Sequence, residues 1–250
     1  MNDQDLCKKR LMDLSRQANR KDIVTFSGFL NLNELHIYHS NQRVFEATSQ
    51  AFGGFNGAER QIIAFIPDAL CYEWEYPISY IRIIPKYPKF ADVLSHRDIL
   101  GALMSLGIER STLGDILCLD QEYILICLSD IAPYIIDNLS QIRHTMVDLS
   151  LMEDSSNLSS KIHLEEVMDT IASNRIDCII AKAFHFSRSE SAEILALEKV
   201  FVNGLSISNC NHSCEDGAIV SVRGHGRFIF ESCNSFSKKG KLRVKFSFYK

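Results

Sequence analysis

No stretch of this chain comes near the ~18 consecutive apolar residues that a membrane span requires. The opening residues, MNDQDLCKKR, also lack the apolar core of a secretion signal. Both absences point to a soluble, cytoplasmic protein. There is no internal repeat and no long low-complexity run, which excludes repeat arrays and extended disordered tethers. Nor do the eight cysteines form a disulfide framework: they stand singly at 7, 71, 118, 127, 178, 210, 214 and 233, several inside apolar runs, as suits a reducing compartment. An excess of positive charge is missing too. Lys and Arg number 27 against 31 Asp and Glu, a formal charge of −4, and taken as an average this argues against general phosphate binding. Cys210-Asn211-His212-Ser213-Cys214 with Cys233 would supply soft ligands, but at no recognised zinc spacing. No metal, cofactor or small-molecule substrate is expected.

The average hides a split. From Arg175 to Lys250 there are 12 basic and 7 acidic residues (+5), whereas residues 1–174 carry 15 and 24 (−9). From Val220 onward the balance is 8 to 1. A polyanionic partner is expected at that end. With 46% apolar residues in 250, the chain has enough material for two or three ordinary domains.

The fold class expected is α+β, in three small domains. Residues 1–75 read as an N-terminal α+β unit: a helix over Leu6–Ala18, then FSGFLNLNELHIYHSN, and a Gly-rich turn FGGFNGAER leading into IIAFIP. Residues 76–158 read in the order βαββαβ, that of a ferredoxin-like domain. ISYIRIIP is the first strand, Ser95 with Asp98 caps a helix, GDILCLDQEYILICLS is a hairpin turning near Asp120-Gln121, IAPYIIDNLSQI is the second helix and RHTMVDLSL the last strand. The aromatic sheet motif by which many RNA-binding modules of this order stack bases is absent. LMEDSSNLSSK is the expected linker, and HLEEVMDTIAS reads as an extended lead-in to residues 174–250.

In that last segment Asn174 and Asp177 are a candidate cap, and Ile176, Ile179, Ile180, Ala183 and Phe184 mark one helical face. Ser187 and Glu190 form a capping box, so Arg188 and Ser189 stand in the first turn of a second helix. An Arg and two hydroxyls beside open backbone N–H groups suit a phosphate. Lys199-Val200-Phe201-Val202 reads as a strand, Asn203-Gly204 and Asp216-Gly217 as hairpin turns. Arg223 and Arg227 flank Gly224-His225-Gly226, where absent side chains let a polyanion approach the backbone. After SKKGK, which contributes Lys238, Lys239 and Lys241, the run KLRVKFSFYK alternates. Leu242, Val244, Phe246 and Phe248 face the core, with Lys241, Arg243 and Lys245 as a basic strip.

RID, FSRSESAEIL, KVFVNG and EDGAIVSVRG, in that order, resemble the S-four RNA-binding domain, a two-helix (αL-motif) plus small-sheet module. KFADVLSHRDILGALMSLGIERSTLGDIL together with SVRGHGRF is similar to the YlmH family, whose members join an N-terminal domain, a ferredoxin-like central domain and a C-terminal S-four domain. The resemblance implies an RNA-binding, ribosome-associated factor. Some members act in ribosome-associated quality control, binding large subunits that hold a stalled peptidyl-tRNA; cell-division phenotypes are also linked to the family. Two departures stand out. Glu198 replaces the Gly common before the strand's Lys, and Phe201 replaces a frequent basic residue.

The expected partners are therefore RNA (rRNA or tRNA) and the large ribosomal subunit, with no membrane. Arg188, Lys199, Arg223 and Arg227 would meet phosphates, while Ser187, Ser189 and Asn203 would bond the backbone. Two other classes compete: an RNA-modifying enzyme such as a pseudouridine synthase, for which Asp98 or Asp177 would be the nucleophile, and a protein-interaction adaptor linked to cell division. His96-Arg97-Asp98 resembles a kinase catalytic loop in wording alone, since its downstream Asn, metal ligand and Gly-rich loop are missing.

Overall fold

A computed structural model describes residues 3–119, 122–152, 164–237 and 240–249. The expected turn at Asp120-Gln121, the linker from Glu153 onward, and Lys238 and Lys239 lie outside the described residues. The chain divides into two units, Met1–Ile162 and His163–Lys250, and its several sheets with flanking helices make it a mixed α+β protein. Among the described residues no helix is long and apolar enough to cross a membrane.

The first unit begins with α1 (Asp3–Lys21), longer at both ends than the apolar periodicity predicts. Leu11 and Ala18 on α1 pack against Leu35 and Tyr38 of α2 (Leu32–Ser40) and against Ile63 and Phe65. Asn31 starts α2 by a reciprocal capping box with Glu34. Strands β1 (Thr25–Phe26), β2 (Thr48–Phe52) and β3 (Ile62–Ile66) form an antiparallel sheet in the order β1-β3-β2, with the all-apolar β3 in the middle.

A second sheet in this unit has the order β5-β6-β4-β8-β7 and is antiparallel throughout. Its elements are β4 (Ile78–Pro85), α3 (His96–Ser105), β5 (Leu113–Leu119), β6 (Glu122–Leu128), α4 (Ala132–Asn138), β7 (Gln141–Ile142) and β8 (Thr145–Leu151). Ser95 and Asp98 cap α3 reciprocally. Helix α4 stops four residues short of the expected end, because Leu139 takes an extended ψ of 97° and Ile142 is buried in the short strand β7. Ile81, Ile83, Leu125 and Cys127 from the sheet meet Ile99, Leu103 and Ile135 from the two helices in one core.

A polar seam joins the two sheets. The Asp115 carboxylate accepts from the backbone N–H groups of Glu59 (2.7 Å) and Arg60 (3.1 Å), and the Arg60 side chain donates to the carbonyls of Leu113, Phe29 and Arg110. Burial lowers the pKa of Arg60, and burial followed by the nearby Arg60 charge brings Arg110 down to about 10. Gly114 is required beside this seam: a Cβ there would stand 2.8 Å from the Phe29 ring.

The second unit is one sheet with two helices on one face. Its strands run β11-β10-β12-β13-β14-β9: β9 (Leu164–Ile171), β10 (Val200–Val202), β11 (Leu205–Ser206), β12 (Ala218–Val222), β13 (Gly226–Phe236) and β14 (Leu242–Tyr249). Within HLEEVMDTIAS, Leu164–Ile171 is extended and forms edge strand β9 against β14. Helices α5 (Ile176–Ala183) and α6 (Arg188–Ala196) bury Ile176, Ile179, Ile180 and Leu195 on Val200, Val220, Val222, Phe228, Phe230, Val244 and Phe246. Burying each such ring contributes roughly 2–3 kcal/mol. The expected Asn174–Asp177 cap does not form. Arg175 is the N-cap and has no side-chain capping bond, while Asp177 is held by the Arg175 guanidinium.

Candidate nucleic-acid interface

Helix α6 starts as its sequence dictates. Ser187 Oγ accepts from Glu190 N–H (3.2 Å), and the Glu190 carboxylate accepts from Ser187 N–H (2.7 Å). Hydrogen bonding from the Ser187 backbone N–H, and then from its hydroxyl, holds the Glu190 carboxyl below its usual pKa. Ser187 and Ser189 hydroxyls also share a hydrogen bond of 3.0 Å. Arg188 and Ser189 are exposed, and their N–H groups, the first two of the helix, have no intrahelical acceptor. The site thus already holds one anion, Glu190, beside which a phosphate would have to fit.

The other end of α6 departs from sequence pattern in an informative way. Lys199 N–H donates to Ile194 O (3.2 Å) and Glu198 N–H to Leu195 O (3.0 Å), a Schellman ending in which the turning residue is left-handed. Glu198 has φ 52° there. This backbone favours Gly, so a glutamate is held here at a conformational cost.

Backbone pairing brings the next residues together. Arg223 N–H donates to Lys199 O (2.9 Å), and Ser221 pairs with both Phe201 and Arg227. Lys199, Arg223 and Arg227 therefore share one end of one sheet face, opposite the face that carries α5 and α6. The Arg223 guanidinium lies 5.8 Å from the Phe201 ring centre, and that of Arg227 4.3 Å from Tyr249. Phe201 is buried, so the residue standing where a basic one is frequent serves here as packing surface beneath an arginine.

The turn Arg223–Gly226 links this face to the helix start. Gly224 is left-handed (φ 87°), with open space where a Cβ would lie. His225 meets the Phe186 ring edge-on at 4.8 Å, and Phe186 immediately precedes Ser187. Ser187, Arg188 and Ser189 thus reach the same end of the sheet as Lys199, Arg223, Gly224 and Arg227, from the other face.

Three expected residues do not join them. Asn203 lies beyond the far end of β10, about 13 Å along the chain from Lys199. Its φ of 49° and the bond from Ile219 N–H to its side-chain oxygen (2.9 Å) give it a turn-forming role. Arg243 sits six residues, some 20 Å, down β14 from Tyr249, the residue against which Arg227 packs, and Lys241 lies further on. The basic strip is also interrupted. Lys245 bridges Glu231 (2.7 Å) and Glu166 (3.1 Å), which raise its pKa, and Lys182 pairs with Asp169 (3.1 Å). Glu231 is the one acidic residue after Val220, but Glu166 and Asp169 arrive on β9, outside the stretch from Arg175: counted from residue 163, the unit has 12 basic and 10 acidic residues, so +5 becomes +2.

The two aspartates considered as nucleophiles are engaged locally. Asp98 accepts from Ser95 N–H (2.9 Å) and Ser95 Oγ (2.6 Å), and Asp177 accepts from the Arg175 side chain and from Cys178 N–H (2.9 Å). Among the described residues no group of three or more His, Cys, Asp or Glu is arranged to hold a metal. Desolvation keeps the buried Cys214 thiol protonated, at about 11.

Comparison with known proteins places its family-model match in the other unit. Residues 72–156 match a family model described as an RNA-binding domain in YlmH. The chain is 28% identical over 197 residues to the Ribosome-associated protein quality control protein P2 of Bacillus subtilis (strain 168), covering 78% of this chain and 75% of that one. A solved structure titled Cell division protein ylmH from Streptococcus pneumoniae shares the fold at TM-score 0.50 and 20% identity, over 61% of this chain and 92% of that one.

Proposed function

We propose that this chain, a YlmH relative that carries the family's RNA-binding domain over residues 72–156, is a cytoplasmic, non-enzymatic factor that binds structured RNA on the ribosome. In this reading the central segment is a ferredoxin-like domain and the second unit an S-four module. The RNA is rRNA or tRNA on the large subunit, and the setting is quality control of stalled nascent chains; the name of the Bacillus subtilis relative supports this as far as ribosome-associated protein quality control.

The observation that carries the reading is the meeting of Lys199, Arg223 and Arg227 with the start of α6 around one glycine turn. Three cations at a sheet end and two open N–H groups on a helix start can hold consecutive phosphates, while Gly224 lets the sugar-phosphate chain come close to the protein backbone. Recognition of this kind depends on the shape of the RNA and weakens with salt. Lys241 and Arg243 would touch a separate stretch of a long RNA.

Sedimentation with purified large subunits at moderate salt tests the assignment. The double variant Arg188→Ala with Arg223→Ala removes two phosphate contacts and should flatten the salt slope by about 2, with a clear loss of bound protein. Unchanged sedimentation would overturn it.

A further inference from the structure

Single exposed apolar side chains are ordinary, but a cluster of large ones held open to water marks a place where something docks. The segment Lys86-Tyr87-Pro88-Lys89-Phe90-Ala91-Asp92-Val93, which connects β4 to α3, leaves Tyr87 60%, Phe90 88% and Val93 91% exposed. Among the described residues neither ring stacks on another aromatic. The segment is nonetheless held in place. Lys86 N–H donates to Met146 O (2.9 Å), Asp92 N–H to the Oγ1 of buried Thr145 (2.9 Å), and Leu94 N–H to the hydroxyl of buried Tyr123 (3.1 Å). Between these anchors Phe90 N–H closes a tight turn onto Tyr87 O (3.0 Å), with Pro88 fixing its first residue. The fold therefore spends buried partners on presenting two bare rings.

Charge interleaves with the rings. Lys86 and Lys89 flank Tyr87 and Phe90 in sequence, Lys89 has no ion pair among the described residues, and Lys86 has only a long contact to Asp148 (3.9 Å). Alternating cations and exposed aromatics suit single-stranded nucleic acid, where rings stack on bases and amines meet phosphates. A duplex keeps its base faces covered by its own stacking. The segment also falls inside residues 72–156, the part that matches an RNA-binding domain.

We propose that Tyr87 and Phe90 form a stacking platform for unpaired RNA bases, with Lys86 and Lys89 on the adjoining phosphates. This rests on the reading of the chain as an RNA-binding protein, but places a second contact in the first unit, independent of the cations at Lys199, Arg223 and Arg227.

The test uses the full chain and two labelled probes, an oligoadenylate of roughly 12 nucleotides and an RNA duplex, with binding followed by fluorescence anisotropy across a salt series. Phe90→Ala and Tyr87→Ala should each weaken oligoadenylate binding by about fivefold or more without changing the salt slope or duplex binding, and Phe90→Tyr should retain affinity. Lys89→Gln should instead flatten the slope by about 0.7. Oligoadenylate affinities of both alanine variants within twofold of the parent, or equal losses on the duplex, would overturn the platform. If the parent chain binds duplex but not oligoadenylate, the platform alone falls; if it binds neither, the RNA-binding reading falls with it.

Discussion

Glu198→Gly should make this protein both more stable and a tighter RNA binder. Glu198 turns the chain from α6 into β10 at φ 52°, with its N–H and that of Lys199 closing the helix. A left-handed non-glycine residue costs about 1–2 kcal/mol, and glycine gives back about 0.5–1 kcal/mol through its greater freedom when unfolded. The net gain is then about 0.5–1 kcal/mol. For a unit of 88 residues (163 to 250), that corresponds to a rise in melting temperature of roughly 2–8 °C. The same substitution removes a negative charge next to Lys199, so RNA affinity should increase at low salt. Glu198→Ala separates the two effects, since alanine loses the charge but keeps the strain. Thermal unfolding of the full chain, with hydrogen exchange on β10 and β12 to locate the gain, measures the first; anisotropy with a stem-loop RNA measures the second. A glycine variant no more stable than the alanine variant would refute the account of the helix ending.

Asp115→Ala should destabilise the first unit by about 2–4 kcal/mol in denaturant unfolding, because the N–H groups of Glu59 and Arg60 lose their acceptor beside two part-buried arginines. Gly53→Ala should cost about 3 kcal/mol, its Cβ falling 2.2 Å from the Arg60 carbonyl oxygen and 2.4 Å from the Ala58 Cβ, while Gly101→Ala, with nothing within 4 Å, should gain about 0.5–1 kcal/mol in helix propensity. Asp98 and Glu190 are both held below their usual pKa, chiefly by hydrogen bonds from Ser95 and Ser187. A depressed carboxylate contributes stability that is present above its unfolded pKa and lost as pH falls through the folded one. Unfolding midpoints should therefore decline below about pH 4.5, and less steeply in Asp98→Asn with Glu190→Gln.

The local signals in the sequence were the dependable ones. Ser95 with Asp98, Ser187 with Glu190 and the Asn203-Gly204 turn each declare themselves within a few residues, because capping and turn chemistry act over that range. Asn31 with Glu34 carried the same signal in the first segment and went unread. What the chain order hides is pairing at a distance. Lys245 looks like one member of a basic strip until β9 lays Glu166 beside it from 79 positions away. Alternation likewise placed Lys241 and Arg243 on a single cationic face without showing how far along β14 they lie from Arg227. Val200-Phe201-Val202 reads as an alternating strand, yet all three are buried, so periodicity could not tell that Phe201 supports Arg223.

The central claim is that this protein binds ribosomal or transfer RNA through the sheet end where Lys199, Arg223 and Arg227 meet the start of α6. Crosslinking the protein to RNA in living cells and sequencing the attached fragments tests it most directly. The account predicts strong enrichment of large-subunit rRNA or tRNA, reduced in Arg188→Ala with Arg223→Ala. Recovery of no RNA above background, or of the same RNA in equal amount from that variant, would contradict it.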